Sequence, residues 1–139
     1  MSAATIRRPL LRAFRWPALW VGIWIAMVAA VVASSLLPAH DLPEVPDGFD
    51  KVEHFVGYLI LSAWAAMLFA HRRAQAIAAV GLIALGVALE FAQGAWTVSR
   101  MADSADALAN SLGVLAGLML GPTAIGGLLV WVEEKIRRR

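Results

Sequence analysis

The chain has 139 residues, of which 60% are apolar and 16% charged, and its mean hydropathy is +0.71. Soluble domains average about 45–50% apolar and 25% charged residues, so this composition excludes an ordinary soluble globule. The net charge of only +2 argues against nucleic acid as a partner, and the lack of cysteine excludes disulfides, thiolate metal sites and a cysteine nucleophile.

The first apolar segment covers residues 16–37 and carries no charged side chain. A helix of this length, rising about 1.5 Å per residue, crosses a hydrocarbon core of about 30 Å. A basic stretch precedes the segment, as in a secretory signal, but its length exceeds the roughly 7–15 residues of a signal core, so we expect an uncleaved membrane helix. Pro38, Pro43 and Pro46 then predict an exposed loop.

Three further spans are predicted at residues 52–70, 74–96 and 104–122 or beyond. The second span comes near the usual length of ~20 residues only if it includes residues 52–54. Polar side chains therefore enter the edge of the membrane. Pro122 follows Gly121 and lacks a backbone N–H donor, so a break in the fourth helix is expected at this point. Residues 123–132 could be the kinked end of that span or a short interfacial helix, and the sequence leaves both open.

Basic side chains cluster in residues 1–15, 72–73 and 133–139, and only Lys51 and Arg100 lie elsewhere. With four spans, the three basic segments share one side, which the positive-inside rule assigns to the cytoplasm. The sequence thus predicts an all-α, multi-pass integral membrane four-helix bundle with cytoplasmic N and C termini. It comprises a basic arm (1–15), a four-span domain (16–132) and a basic tail (133–139).

Tryptophans recur every fourth residue at Trp16, Trp20 and Trp24, on one face of the first helix. Trp96 and Trp131 lie near predicted span ends. We interpret these residues as lipid-facing interfacial anchors rather than as a ligand cage.

Polar side chains share one face on each of the last three predicted helices, at the end away from the basic segments. Ionisable groups at membrane depth are costly and usually face a bundle interior or a water-filled cavity, so this set is a candidate functional site. Any single member is explained as well by an ion pair between helices or by a helix cap. The set contains Asp50, Lys51, His54 and Tyr58 on the second helix, Glu90 and Gln93 on the third, Arg100 in the connection, and Asp103, Asp106 and Asn110 on the fourth.

Glycines continue the same face of the fourth helix at Gly113, Gly117 and Gly121. This spacing predicts that another helix approaches closely along the stripe. Leu in place of Gly117 is expected to prevent that packing, whereas Leu in place of Val114 is expected to be tolerated.

The order of these residues is Asp50-Lys51-x-x-His54-x-x-x-Tyr58, Glu90-x-x-Gln93 and Arg100-x-x-Asp103-x-x-Asp106-x-x-x-Asn110-x-x-Gly113. Over residues 38–120 this pattern resembles the VanZ-like family of small bacterial membrane proteins, named for a protein linked to teicoplanin resistance. The resemblance implies a four-helix protein of the bacterial cytoplasmic (inner) membrane with these polar positions as its signature. It also implies a connection with the cell envelope and with glycopeptide antibiotic resistance, but no particular reaction.

Two functions fit these side chains equally. An enzyme acting on a lipid-linked or cell-wall precursor would use His54, oriented by Asp50, as its general base, with Glu90 as a second proton carrier. Lys51 and Arg100 would then hold an anionic group of the substrate. A non-catalytic protein would bind the same envelope ligand, among membrane lipids, without chemistry. A proton or ion transporter fits less well, because the other halves of the helices lack a polar relay.

A divalent metal is a further option for the same site. His54, Glu90, Asp103 and Asp106 offer one imidazole and three carboxylates, which suit Mg²⁺, Mn²⁺ or Zn²⁺. No cysteine ligand and no His-Glu-x-x-His spacing supports a metal, so the sequence leaves the cofactor open.

Overall fold

A computed structural model describes residues 9–37, 49–96 and 103–138. These ranges are helical, which confirms the all-α class, and the helices match the predicted spans to within a few residues. The predicted proline-bearing loop lies outside the described residues. The α-helices are α1 (Pro17–Leu36), α2 (Phe49–Leu68), α3 (Arg72–Trp96), α4 (Ser104–Met119) and α5 (Leu128–Arg137), with a 3-10 helix, Ala124–Gly127, before α5.

Two helices are long and apolar enough to cross a membrane, at Pro17–Leu36 and Arg72–Ala95. A third crossing is possible if Ser104–Met119 and Ala124–Arg137, which meet at a bend of 78°, form one broken span. α2 is less apolar because Asp50, Lys51 and Glu53 occupy its first turns. The structure thus supports a membrane protein with two or three candidate spans, and a fourth span remains a proposal.

α2 lies at the centre of the molecule and packs most extensively on α4. Glycines of α4 allow this approach. A Cβ at Gly113 would overlap the carbonyl oxygen of Phe55, and one at Gly117 would overlap that of Leu59. Because lipid tails are as apolar as leucine, such backbone proximity is how membrane helices gain packing energy. The predicted close approach of a helix is confirmed at Gly113 and Gly117, whereas Gly121 lies beyond the end of α4 and has side chains of α3 as its nearest neighbours from another helix.

The expectation that Val114 tolerates Leu is wrong. Its side chain is fully buried in a cluster with Tyr58, Leu61 and Leu82. Its carbonyl oxygen also accepts a 2.7 Å hydrogen bond from the hydroxyl of Ser62. α4 packs on α3 as well as on α2, so protein covers more of its surface than the glycine stripe alone indicates.

The N-terminal arm, the α2–α3 turn and α5 meet at one end of the molecule. The backbone N–H of Arg12 donates to the carbonyl of Leu68 at 2.9 Å. The carboxylate of Glu133, on α5, accepts from the backbone N–H groups of Arg15 at 2.6 Å and Trp16 at 3.0 Å. The described residues of the three basic segments therefore lie together at one end of the molecule.

The tryptophan face of α1 contacts protein rather than lipid. Trp20 is 7% exposed and donates its indole N–H to Oε1 of Glu133 at 2.9 Å. Trp24 donates its indole N–H to the carbonyl of Leu61 at 3.0 Å. The interpretation as lipid-facing anchors is wrong for these two residues, whereas Trp16 and Trp131 are exposed.

α4 ends just before Gly121 and Pro122, where a helix break was predicted. The chain then turns sharply into the 3-10 helix, and a Cβ at Gly126 would overlap the carbonyl oxygen of Gly121. Residues 123–132 therefore do not continue α4 in a straight line. α5 runs without interruption past residue 132, so the boundary drawn before the basic tail lies inside a helix.

Candidate functional site

Polar side chains converge at the end of the molecule opposite the N-terminal arm. They come from the first turns of α2 and α4 and the last turns of α3, and His54 lies ~20 Å along α2 from Leu68, where the arm docks. Arg100, which was predicted to belong to this set, lies outside the described residues. The polar cluster consists of Asp50, Lys51, His54, Tyr58, Glu90, Gln93, Asp103, Asp106 and Asn110.

Lys51 is surrounded by carboxylates. Its ammonium group donates to Oδ2 of Asp103 at 3.0 Å, to Oδ2 of Asp50 at 3.1 Å and to Oδ1 of Asp106 at 3.2 Å. An ammonium group has three N–H donors, and these three bonds use all of them. Contact with an anionic substrate would require Lys51 to exchange one of these carboxylates, and the role predicted for it stays a prediction.

Three members of these ion pairs, Asp50, Lys51 and Asp103, precede the predicted second and fourth spans, and the pairing favours their charged forms. Hydrogen bonds to Asp103, Asp50 and Asp106 raise the pKa of Lys51. The bond from Lys51 lowers the pKa of Asp50, and the Ala105 backbone N–H, followed by Lys51, lowers the pKa of Asp103. The stabilisation from these two carboxylates is therefore present above their ordinary pKa and is lost as the pH falls through the lowered values. Because their side chains are roughly two-fifths exposed, water screens much of it.

His54 is held by α4. Its Nδ1 lies 3.0 Å from Oδ1 of Asn110, and because an amide oxygen only accepts, Nδ1 carries the hydrogen. Its Nε2 lies 3.8 Å from Oδ2 of Asp106. The prediction that Asp50 orients His54 is wrong, since Asp50 bonds to Lys51 and Asn110 takes that role.

α3 contributes two buried polar side chains to the cluster. Glu90 is 5% exposed, and its Oε2 lies 3.4 Å from the backbone N–H of Asp103. Gln93 donates to the carbonyl of Ser35 at 2.8 Å, which ties the end of α3 to the end of α1. All of the first four helices therefore meet at the polar cluster.

Three of the four predicted metal ligands come together. Single ligand atoms of His54, Glu90 and Asp106 all lie within 4.8 Å of one another. Asp103 is not part of this group. It caps α4 by accepting the Ala105 backbone N–H at 2.8 Å, and its other oxygen accepts from Lys51. The predicted four-ligand set is therefore corrected to three.

A cleft of about 170 Å³ opens beside the cluster, between α1 and α2. Glu53 and the two serines among its lining residues were not predicted as site residues. Glu53 lies outside the polar face of α2. For Ser34 and Ser35, the sequence offered one indication, a pair of hydroxyl side chains at the end of a segment without charges. The lining consists of Val31, Ser34, Ser35, Glu53, His54, Gly57 and Tyr58.

No protein-family model, curated protein or solved structure matches the chain. The resemblance to the VanZ-like family is not tested by these comparisons and stays a prediction from the spacing of the polar residues. Function is therefore inferred from the geometry of the polar cluster and the chemistry of its side chains.

Proposed function

We propose that this chain is a VanZ-like protein of the bacterial cytoplasmic membrane whose polar cluster binds, or acts on, a cell-envelope lipid or cell-wall precursor at the outer face. The observation that carries the proposal is the convergence of His54, Glu90 and Asp106 from three helices beside an open cleft. Buried ionisable groups are costly in a membrane and normally mark a functional site. A connection with glycopeptide resistance is part of the proposal and rests on the sequence pattern.

An amphiphilic ligand fits the surroundings of the cleft. Val31 and Gly57 contribute apolar lining residues, whereas Ser34, Ser35 and His54 contribute polar ones. Val56, on the same helix, is 43% exposed, so apolar surface continues outside the cleft. A lipid could lay its chain against the helices and direct its head group to the polar cluster.

General acid–base catalysis on the same ligand is the second candidate function. Nδ1 of His54 lies 3.0 Å from Oδ1 of Asn110, and Nε2 lies 3.8 Å from Oδ2 of Asp106. An imidazole oriented in this way can take up and return a proton. Turnover of the bound lipid or precursor by the purified protein would distinguish catalysis from binding.

The binding proposal is tested by identifying copurified lipids by mass spectrometry, after purification of the full chain in mild detergent. We expect one class of envelope lipid or precursor to be enriched over the bulk membrane lipids. Its enrichment falls at least about tenfold in His54→Ala, Glu90→Ala and Asp106→Ala, with each variant present at wild-type level in the membrane. Glu134→Ala, which removes an exposed carboxylate at the other end, serves as the control.

A helix-pinning network gives a different result. Breaking one partner of a buried charge pair costs about 3–5 kcal/mol, so membrane abundance would fall in all three variants together with binding. That outcome contradicts the proposed site.

For the topology, we propose four spans with α2 as the second, and both termini in the cytoplasm. Ser104 and Arg73 are exposed and lie at opposite ends of the molecule. In intact cells, an impermeant maleimide is expected to label Ser104→Cys but not Arg73→Cys on this cysteine-free chain, and permeabilised cells provide the total reactivity. Labelling of Arg73→Cys in intact cells would overturn this orientation.

A further inference from the structure

The described part of the polar cluster is strongly acidic. The carboxylates of Asp50, Asp103 and Asp106 surround the ammonium group of Lys51. Carboxylates in this excess repel an anionic head group and attract a cation.

Three carboxylate and imidazole groups are arranged around one point. The ligand atoms of His54, Glu90 and Asp106 lie within 4.8 Å of one another and come from three different helices. Glu90 is 5% exposed, and the side chains of His54 and Asp106 are 17% and 14% exposed. The three groups are thus largely withdrawn from solvent and held by separate rigid elements.

The orientation of His54 is that of a metal ligand. Metal-binding imidazoles usually donate their second ring N–H to a carbonyl or carboxylate oxygen, and Asn110 supplies such an oxygen here. Nε2 of His54 then lies 3.8 Å from Oδ2 of Asp106, so a possible ligand atom of each residue is directed at the same space.

Asp106 is held in the same manner. Its Oδ1 accepts a hydrogen bond from Lys51 at 3.2 Å, which leaves Oδ2 directed towards His54. Carboxylates that bind metals are commonly oriented by a hydrogen bond to the second oxygen. Lys51 therefore holds the carboxylate of Asp106, and Asn110 the imidazole of His54, each by a hydrogen bond to the atom that would not contact the metal.

Tyr58 provides an independent observation. Its side chain is 3% exposed, and its hydroxyl has no hydrogen-bond partner among the residues that the structure describes. The phenol lies one turn from His54 on α2, and its ring lies beside Gly86, one turn before Glu90 on α3, so it is directed towards the triad. Buried hydroxyls are normally hydrogen-bonded, and a water molecule on a cation in the triad would satisfy this one.

We propose that His54, Glu90 and Asp106 bind one divalent transition-metal cation of the Zn²⁺ or Mn²⁺ type. One imidazole with carboxylates matches the donor preference of these ions. Three protein ligands leave coordination positions for water or for an anionic ligand, as in open metal sites. The proposal rests on the proposed function only for the identity of that ligand, an envelope lipid or precursor with an anionic head group.

The test uses full-length protein in detergent, stripped with EDTA and then titrated with Zn²⁺, Mn²⁺ and Mg²⁺. We expect calorimetry and elemental analysis to give about one equivalent of Zn²⁺ or Mn²⁺, bound more tightly than Mg²⁺. Glu90→Gln and Asp106→Asn are expected to weaken binding by ~100-fold or more, and Asn110→Leu by about 10–100-fold. Glu134→Gln removes an exposed carboxylate at the other end of the molecule and is expected to leave affinity nearly unchanged.

Failure of the wild-type protein to retain either metal would overturn the site, even if every variant misfolded. Equal affinity in the wild type, Glu90→Gln and Asp106→Asn would overturn it too, since the ion would then lie elsewhere. Lipid analysis with and without EDTA separates this inference from the proposed function. Metal binding without any enriched lipid supports the cation site and refutes the proposed function. Lipid enrichment without metal binding supports the proposed function and refutes the cation site.

Discussion

Gly117→Leu is expected to lose most of its folded yield. A Cβ at this position would lie 2.7 Å from the backbone nitrogen of Ala63 and 2.8 Å from Cβ of Ser62, and it would overlap the carbonyl oxygen of Leu59. Overpacking a core costs about 1–3 kcal/mol when neighbouring side chains can move aside. Here the obstacle is largely the backbone of α2, so the two central helices must separate, and we expect a cost of ~3 kcal/mol or more.

The matched control is Gly81→Leu. Gly81 lies within α3, and nothing lies within 4 Å of the position of its Cβ. The monodisperse fraction in detergent and the midpoint of thermal unfolding, followed by circular dichroism, compare the two variants. Similar yields and midpoints would show that the α2–α4 contact does not hold the protein together.

Glu133→Ala is expected to destabilise the other end of the molecule. The buried carboxylate accepts the backbone N–H groups of Arg15 and Trp16 and the indole N–H of Trp20, all within 3.0 Å. It thereby caps the N-terminus of α1, where the side chain of Trp16 makes no capping bond and a negative charge is favoured. Hydrogen bonds to a charged group contribute about 1.5–3 kcal/mol each, so we expect the free energy of unfolding to fall by ~3 kcal/mol or more.

Glu134→Ala is the control, because Glu134 is the neighbouring residue on α5 and is exposed. Denaturant unfolding in mixed micelles measures the free energy for both variants. Glu133→Gln, which keeps one acceptor oxygen, is expected to fall between Glu133→Ala and the wild type. An unfolding free energy of Glu133→Ala equal to that of Glu134→Ala would contradict the capping role.

Much of the candidate site could be predicted from spacing alone. Residues one helical turn apart share a face, so the juxtaposition of Lys51, His54 and Tyr58 follows from sequence positions. Antiparallel neighbouring helices then bring the end of α3 and the start of α4 to the same level. The pairing within the site could not be predicted, because Lys51 lies within reach of several carboxylates and His54 within reach of several acceptors. The packing of α4 against α2 brings Asp103 to Lys51 and Asn110 to His54.

Composition and periodicity by themselves determined the helical class, the membrane character, the helix bounds and the glycine face of α4. These properties depend on near neighbours in the chain, since helix formation, length and amphipathicity are local. Tertiary structure alone decided that Trp20 and Trp24 face protein, that Val114 is buried and that Glu133 caps α1. Each of these contacts joins side chains or backbone groups from separate helices, and periodicity reports the direction of a side chain from its own helix but not which segment lies opposite.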